Sequence, residues 1–132
     1  MAFWIGKVNK KLYYYYQRPV SESRLFDKRV YNYIDNFNGL VDYYKETNIY
    51  DFYKEELEFC YVRYIYATFI KRVATFKDKN EYKIAVEKAI NNVKEKFPQY
   101  RKNKYFYRSI KGMYLIFFNR FFAYLLNKKY RW

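Results

Sequence analysis

The sequence predicts a mainly α-helical chain, in which a short N-terminal β-strand is followed by a bundle of about four helices. Three observations carry this expectation. Apolar residues recur every three or four positions over three successive stretches between Phe26 and Val93, the spacing of a buried helix face. Ahead of them stands a run of β-favouring aromatics that ends at a proline. Finally, 52% of the 132 residues are hydrophobic, including 20 Tyr and 13 Phe, which supplies the apolar area for a core and speaks against disorder. The length suits a single folding unit.

The strand is expected over residues 11–17, where Leu12 to Tyr16 precede Gln17, Arg18 and Pro19. Nothing else in the chain reads as its partner. Ser21 and Ser23 offer N-caps for a first helix over residues 23–46, with Phe26, Val30, Tyr33/Ile34, Phe37, Leu40/Val41 and Tyr44 on its inner face. Asn48 or Asp51 would cap a second helix. Its inner stripe is Leu57, Tyr61, Tyr64/Ile65, Thr68/Phe69, Val73 and Phe76, and its outer face carries Glu55, Glu58, Arg63 and Lys71. Asp78 and Glu81, three apart, form a capping-box pattern for a third helix that buries Tyr82, Ala85/Val86, Ala89/Ile90 and Val93. Phe97-Pro98 stops it. A fourth helix over residues 105–128 is apolar on nearly all sides, which places it at the centre of a bundle or against a membrane or partner.

Composition removes several functions at once. The chain has no His, so zinc hydrolases and Ser-His or Cys-His nucleophile systems cannot be built from it. Its one cysteine, Cys60, excludes a disulfide framework and suits a reducing, cytoplasmic setting. The net charge of +14 is unevenly placed. Residues 1–20 carry four bases and no acid, residues 21–96 carry 14 bases and 13 acids, and residues 97–132 carry nine bases and no acid. The longest apolar run, Met113 to Leu126, is interrupted by Asn119 and Arg120 and falls short of the roughly 20 residues of a spanning helix.

Four groups of residues are candidates for chemistry. Arg18 with Ser21 could meet a phosphate through a guanidinium fork and a hydroxyl, although a strand end followed by a helix cap accounts for both. Glu55, Glu56 and Glu58 could act as paired carboxylates, but acids near a helix N-terminus also answer the helix dipole. Cys60, mid-helix and without a His to activate it, reads as a small core residue. In the basic tail, Phe117, Phe118, Phe121 and Phe122 could dip into a membrane interface while Lys128 and Lys129 face anionic lipid at the inner face of the cell membrane. The alternative expectation is a small basic helical module whose ends bind anionic membrane or nucleic acid, Lys and Arg neutralising phosphates while Tyr or Phe stack on bases. A nucleic-acid surface usually scatters its aromatics among polar residues, and here they are contiguous, which favours burial or membrane contact.

Three stretches, LYYYYQRPVSES (12–23), EELEFCYVRYIYATFIKRV (55–73) and KFPQYRKNKYF (96–106), together resemble the C-terminal portion of bacterial family 2 glycosyltransferases of capsular or wall polysaccharide synthesis. The pattern Leu-Tyr-x-Tyr-x-x-Arg-x-x-Ser, carried by Leu12, Tyr13, Tyr15, Arg18 and Ser21, looks like the last strand and loop of their nucleotide-sugar-binding GT-A domain. Glu56-Leu57-Glu58 matches the helix that follows, and Phe97, Pro98, Tyr100 and Asn103 match a Phe-Pro-x-aromatic-x-x-Asn pattern. The resemblance implies that residues 1–20 are the closing strand and loop of a GT-A domain and residues 21–132 a helical C-terminal region. Arg18 and Ser21 would then border the substrate. The donor site, the Asp-x-Asp metal site and the catalytic base would lie upstream of Met1, since no Asp-x-Asp occurs here. The expected partners are an upstream GT-A domain or subunit and, through it, a nucleotide sugar and a glycan acceptor. The complete enzyme would use a divalent metal, and this chain alone would hold no cofactor and transfer no sugar.

Overall fold

The computed structural model describes Lys10 and residues 27–130. The expected strand, with its loop, lies outside the described residues. Those that are described form a mainly helical fold without strands.

A 3-10 turn at Lys28–Tyr31 leads into α1, Asn32–Glu46. Ser21 and Ser23 lie outside the described residues; Asp27 is extended and caps the turn by accepting from the Arg29 amide at 2.8 Å, so the first helix does not run unbroken from residue 23. Val30, Ile34 and Val41 are buried as the spacing predicts. Asn48 also takes another role. Its φ of 58° is the left-handed conformation that closes a helix C-terminus, so it ends α1 instead of starting the next helix.

The central rod comprises α2, Tyr50–Arg63, a π-helical segment, Tyr64–Phe69, and α3, Ile70–Val73. The sequence explains the π segment. Buried pairs recur at a strict interval of four: Leu57/Glu58, Tyr61/Val62, Ile65/Tyr66, Phe69/Ile70 and Val73/Ala74. An α-helix of 3.6 residues per turn rotates such a stripe by about 40° at each step, so the first and last pairs would face different ways. The wider π turn holds them on one face. For the same reason Thr68, expected inside by α-helical spacing, is exposed, while Val62, Tyr66, Ile70 and Ala74 join the core.

The helix α4, Lys79–Lys96, forms as expected. Asp78 caps it by accepting from the amides of Asn80 at 2.7 Å and Glu81 at 3.2 Å, and its whole predicted face is buried. A polar relay ties three helices together: the Tyr61 hydroxyl donates to Asn38 at 2.7 Å, Asn38 to Asn92 at 3.1 Å, and Asn92 to the Lys88 carbonyl at 2.8 Å.

The predicted fourth helix is instead three pieces. A 3-10 turn at Lys104–Arg108 precedes α5, Ile110–Phe117, and α6, Arg120–Tyr130. Two caps cause the breaks. Ser109 accepts from the Gly112 amide at 3.0 Å, and Asn119 accepts from the Phe122 amide at 3.1 Å. Phe118 between the helices is extended, with ψ of 127°. Gly112 lets α5 lie on the preceding turn, since a Cβ there would stand 2.1 Å from the Phe106 carbonyl oxygen. The α6 helix is pinned by Tyr82, whose hydroxyl donates to the Ala123 carbonyl at 2.6 Å, and by Asn127, whose amide donates to the carbonyls of Ala74 and Phe76.

Candidate functional site

Arg18 and Ser21 lie outside the described residues. The acidic cluster at the start of α2 is described in full, and it serves the fold. Its three carboxylates grip three consecutive residues of the turn between α4 and α5. Glu58 accepts from the Asn103 amide at 2.9 Å, Glu55 pairs with Lys104 at 2.7 Å, and Glu56 accepts from the Tyr105 hydroxyl at 2.5 Å. Asn103 is the hub. Its amide nitrogen also donates to the Glu55 carbonyl at 2.7 Å, and its carbonyl oxygen caps the 3-10 turn by accepting from the Tyr105 amide at 2.9 Å.

This clamp overturns the placement of Glu58 on an outer face. The interval of four puts it beside Leu57 on the buried stripe, where it is 9% exposed. Burial pushes its carboxyl pKa above the ordinary value, with the Asn103 hydrogen bond opposing. The hydrogen bond from Tyr105 holds the exposed Glu56 carboxyl below the ordinary range and raises the phenol in turn. Cys60, expected inside, is exposed, because the core positions run 57, 58, 61 and 62 and leave 60 on the outer face. Among the described residues, no three Cys, Asp or Glu side chains gather as a metal site requires.

The aromatic group near the C-terminus divides in two. Phe118 is 2% exposed and stacks on Tyr66 with centroids 4.4 Å apart, so it belongs to the core and not to an outer surface. The extended residue between α5 and α6 turns its side chain inward while its neighbours point out. Phe117 and Phe121 are 61% and 66% exposed, and Phe122, touching Tyr114 edge-on at 6.0 Å, is at the margin. On α5 the exposed Ile110, Met113 and Phe117 follow one helical face. On α6 the exposed Phe121 and Leu125 do the same, and Lys128 and Lys129 are exposed one turn further on.

Among the described residues, few bases of this C-terminal part pair with an acid. Lys104 pairs with Glu55, and Arg120 pairs with Glu87 at 2.7 Å. Arg101, Arg108 and Lys129 lie over the rings of Tyr100, Tyr105 and Tyr130 instead, at 5.7, 4.6 and 5.5 Å. Sequence reasoning separated neither Phe118 from Phe117 nor α5 from α6. The signals available were Ser109 and Asn119, both good caps inside an apolar run.

No known protein family, curated protein or solved structure matches the chain. No helix among the described residues is long and apolar enough to cross a membrane.

Proposed function

We propose that the chain is the helical C-terminal part of a sugar-nucleotide-dependent glycosyltransferase for surface polysaccharide synthesis, a part that holds neither the donor site nor the metal site. The observation that carries the reading is where the matched motifs meet. Glu56-Leu57-Glu58 and Asn103, resembling the family in separate stretches, are joined by the Glu58–Asn103 hydrogen bond across 45 residues, and Leu57, Phe97 and Tyr100 are buried around them. Residues that resemble the family are thus the ones that close this fold, as expected if the resemblance reflects shared architecture. In this reading Arg18 and Ser21 border the substrate held by a GT-A domain or subunit, which also supplies the divalent metal and the base.

The last two helices would seat this part against the anionic inner face of the cell membrane. Exposed Phe117, Phe121 and Leu125, together with Arg101, Arg108 and Lys129, which have no carboxylate partner among the described residues, support that placement. The test is to incubate the pure chain with labelled sugar nucleotides and a divalent metal. No transfer is expected, and transfer well above a blank would refute the reading. Liposome flotation checks the seating separately.

A further inference from the structure

A cleft of about 410 Å³ opens between the C-terminal end of α4, the turn after Pro98 and the start of α6. Its floor is aromatic: Tyr66, Tyr100 and Phe118 are all buried, with Phe118 stacked on Tyr66 and Tyr100 edge-on to it at 6.0 Å. Its walls are basic, since Lys94, Arg101 and Arg120 line it and, among the described residues, no carboxylate does. Arg120 uses Nε and Nη2 on Glu87, both at 2.7 Å, which leaves its Nη1 outside that pair. Burial drives the Tyr66 phenol above its ordinary pKa, and its hydroxyl is engaged with that of Tyr100, so the two rings act as a fixed floor. Three cations around a floor of rings suit a compact anion with several acceptor oxygens.

The position of the cleft names the source of that anion. Phe121 lines it and also begins the exposed apolar face of α6 that continues to Leu125. An anion held among Lys94, Arg101 and Arg120 therefore sits at the edge of a surface suited to acyl chains. We infer that this cleft is a binding site for the phosphate ester of an anionic phospholipid headgroup, the lipid chains lying along Phe121 and Leu125. The inference rests on the membrane-facing placement of α6. It adds a defined headgroup site to what would otherwise be diffuse attraction.

The experiment compares flotation of the full chain with phosphatidylcholine vesicles and with vesicles containing phosphatidylglycerol. Two charge-matched double variants are run beside it, K94Q/R101Q in the cleft and K71Q/K77Q away from it. All four positions are exposed, and thermal melts confirm folding. The chain is expected to float only with phosphatidylglycerol. The cleft pair should weaken binding by about tenfold or more, and the distant pair by roughly threefold or less. Titration with soluble glycerol phosphate should shift the ring signals of Tyr66 and Tyr100 in the wild type and not in the cleft variant. Equal loss in the two variants would overturn the headgroup site while leaving the membrane placement standing. Ring shifts with glycerol phosphate but no flotation would overturn the lipid as the source. Neither flotation nor shifts would overturn both, and none of these results bears on the sugar-transfer assay.

Discussion

Asn103→Ala tests the clamp that joins the start of α2 to the turn before α5. Asn103 is buried, and its side chain satisfies three groups: the Glu55 carbonyl, the Glu58 carboxylate and the Tyr105 amide. Truncation leaves the buried Glu58 carboxylate without this donor, at about 3 kcal/mol for a charged acceptor, while the Glu55 carbonyl keeps its place in the α2 ladder. Loss of the cap on the 3-10 turn adds about 1 kcal/mol. Water entering the space left behind recovers part of this, so a net loss of about 3 kcal/mol is expected. Against a total stability on the order of 5–15 kcal/mol that is a large fraction. With a urea m-value of about 2 kcal/mol/M, the midpoint should fall by about 1.5 M in far-UV circular dichroism. A loss below about 1 kcal/mol would refute the clamp as a buried, water-excluding contact.

Glu58→Gln sharpens the same test, because glutamine keeps an acceptor for Asn103 and removes the buried charge. Burial raises the Glu58 pKa, so between its unfolded value of 4.5 and the higher folded value the native state holds the extra proton. The penalty of the buried charge is therefore full above the folded value and is relieved as pH falls toward 4.5. Wild type should gain stability relative to Glu58→Gln as pH is lowered through that window. The Glu56 contribution runs the other way, present above 4.5 and lost as pH falls through its lowered value, which is why the difference between the two proteins must be measured. A difference independent of pH would show that Glu58 is solvated.

Three further outcomes are expected. Gly112→Ala should destabilise by about 2 kcal/mol or more, because its Cβ would meet the Phe106 backbone, whereas Gly39→Ala, with nothing within 4 Å in mid-helix, should stabilise by roughly 0.5–1 kcal/mol; paired chemical melts read both. Phe118→Ala should cost about 3–5 kcal/mol while Phe117→Ala stays within roughly 0.5 kcal/mol, and equal effects would contradict the division of the aromatic group. Tyr61, Tyr66 and Tyr82 have phenols raised above 10.0, chiefly by burial, so their stabilising contribution is full below pH 10 and is lost as pH rises further. Absorbance near 295 nm should show these phenols ionising with unfolding; smooth titration in a folded chain would count against their burial.

The helical class, the buried face of α4 and its Asp78 cap were legible because their signals are local: a 3.6-residue period and a cap three residues before an acid. Elsewhere the local signal pointed two ways. Asn48 suits a helix start or a left-handed end, and only the chain path selects the second. The stripe through α2 was visible, but read with an α-helical period it placed Tyr64 and Thr68 inside. The interval of four from Leu57 to Val73 held the information that the helix widens. The clamp was illegible for a different reason. Its partners are 45 residues apart or more, and a glutamate at a helix start looks the same whether it answers a dipole or a buried asparagine.

The break at Phe118–Asn119 links the core to the outer face. A continuous apolar helix over residues 105–128 would bury one flank and leave Phe117, Phe118, Phe121 and Phe122 to share the other side by their angles alone. Extending the chain at Phe118 lets one ring leave that series and stack on Tyr66, while Asn119 restarts the helix with Phe121 outward. The same step brings Arg120 beside Glu87 and into the cleft wall with Lys94 and Arg101. One extended residue thus supplies a ring to the core, frees another for an apolar surface and places a cation between them. Substituting Asn119 by Ala, which removes the cap that fixes this geometry, should loosen the outer face before it disturbs α4, a sequence that amide hydrogen exchange can resolve.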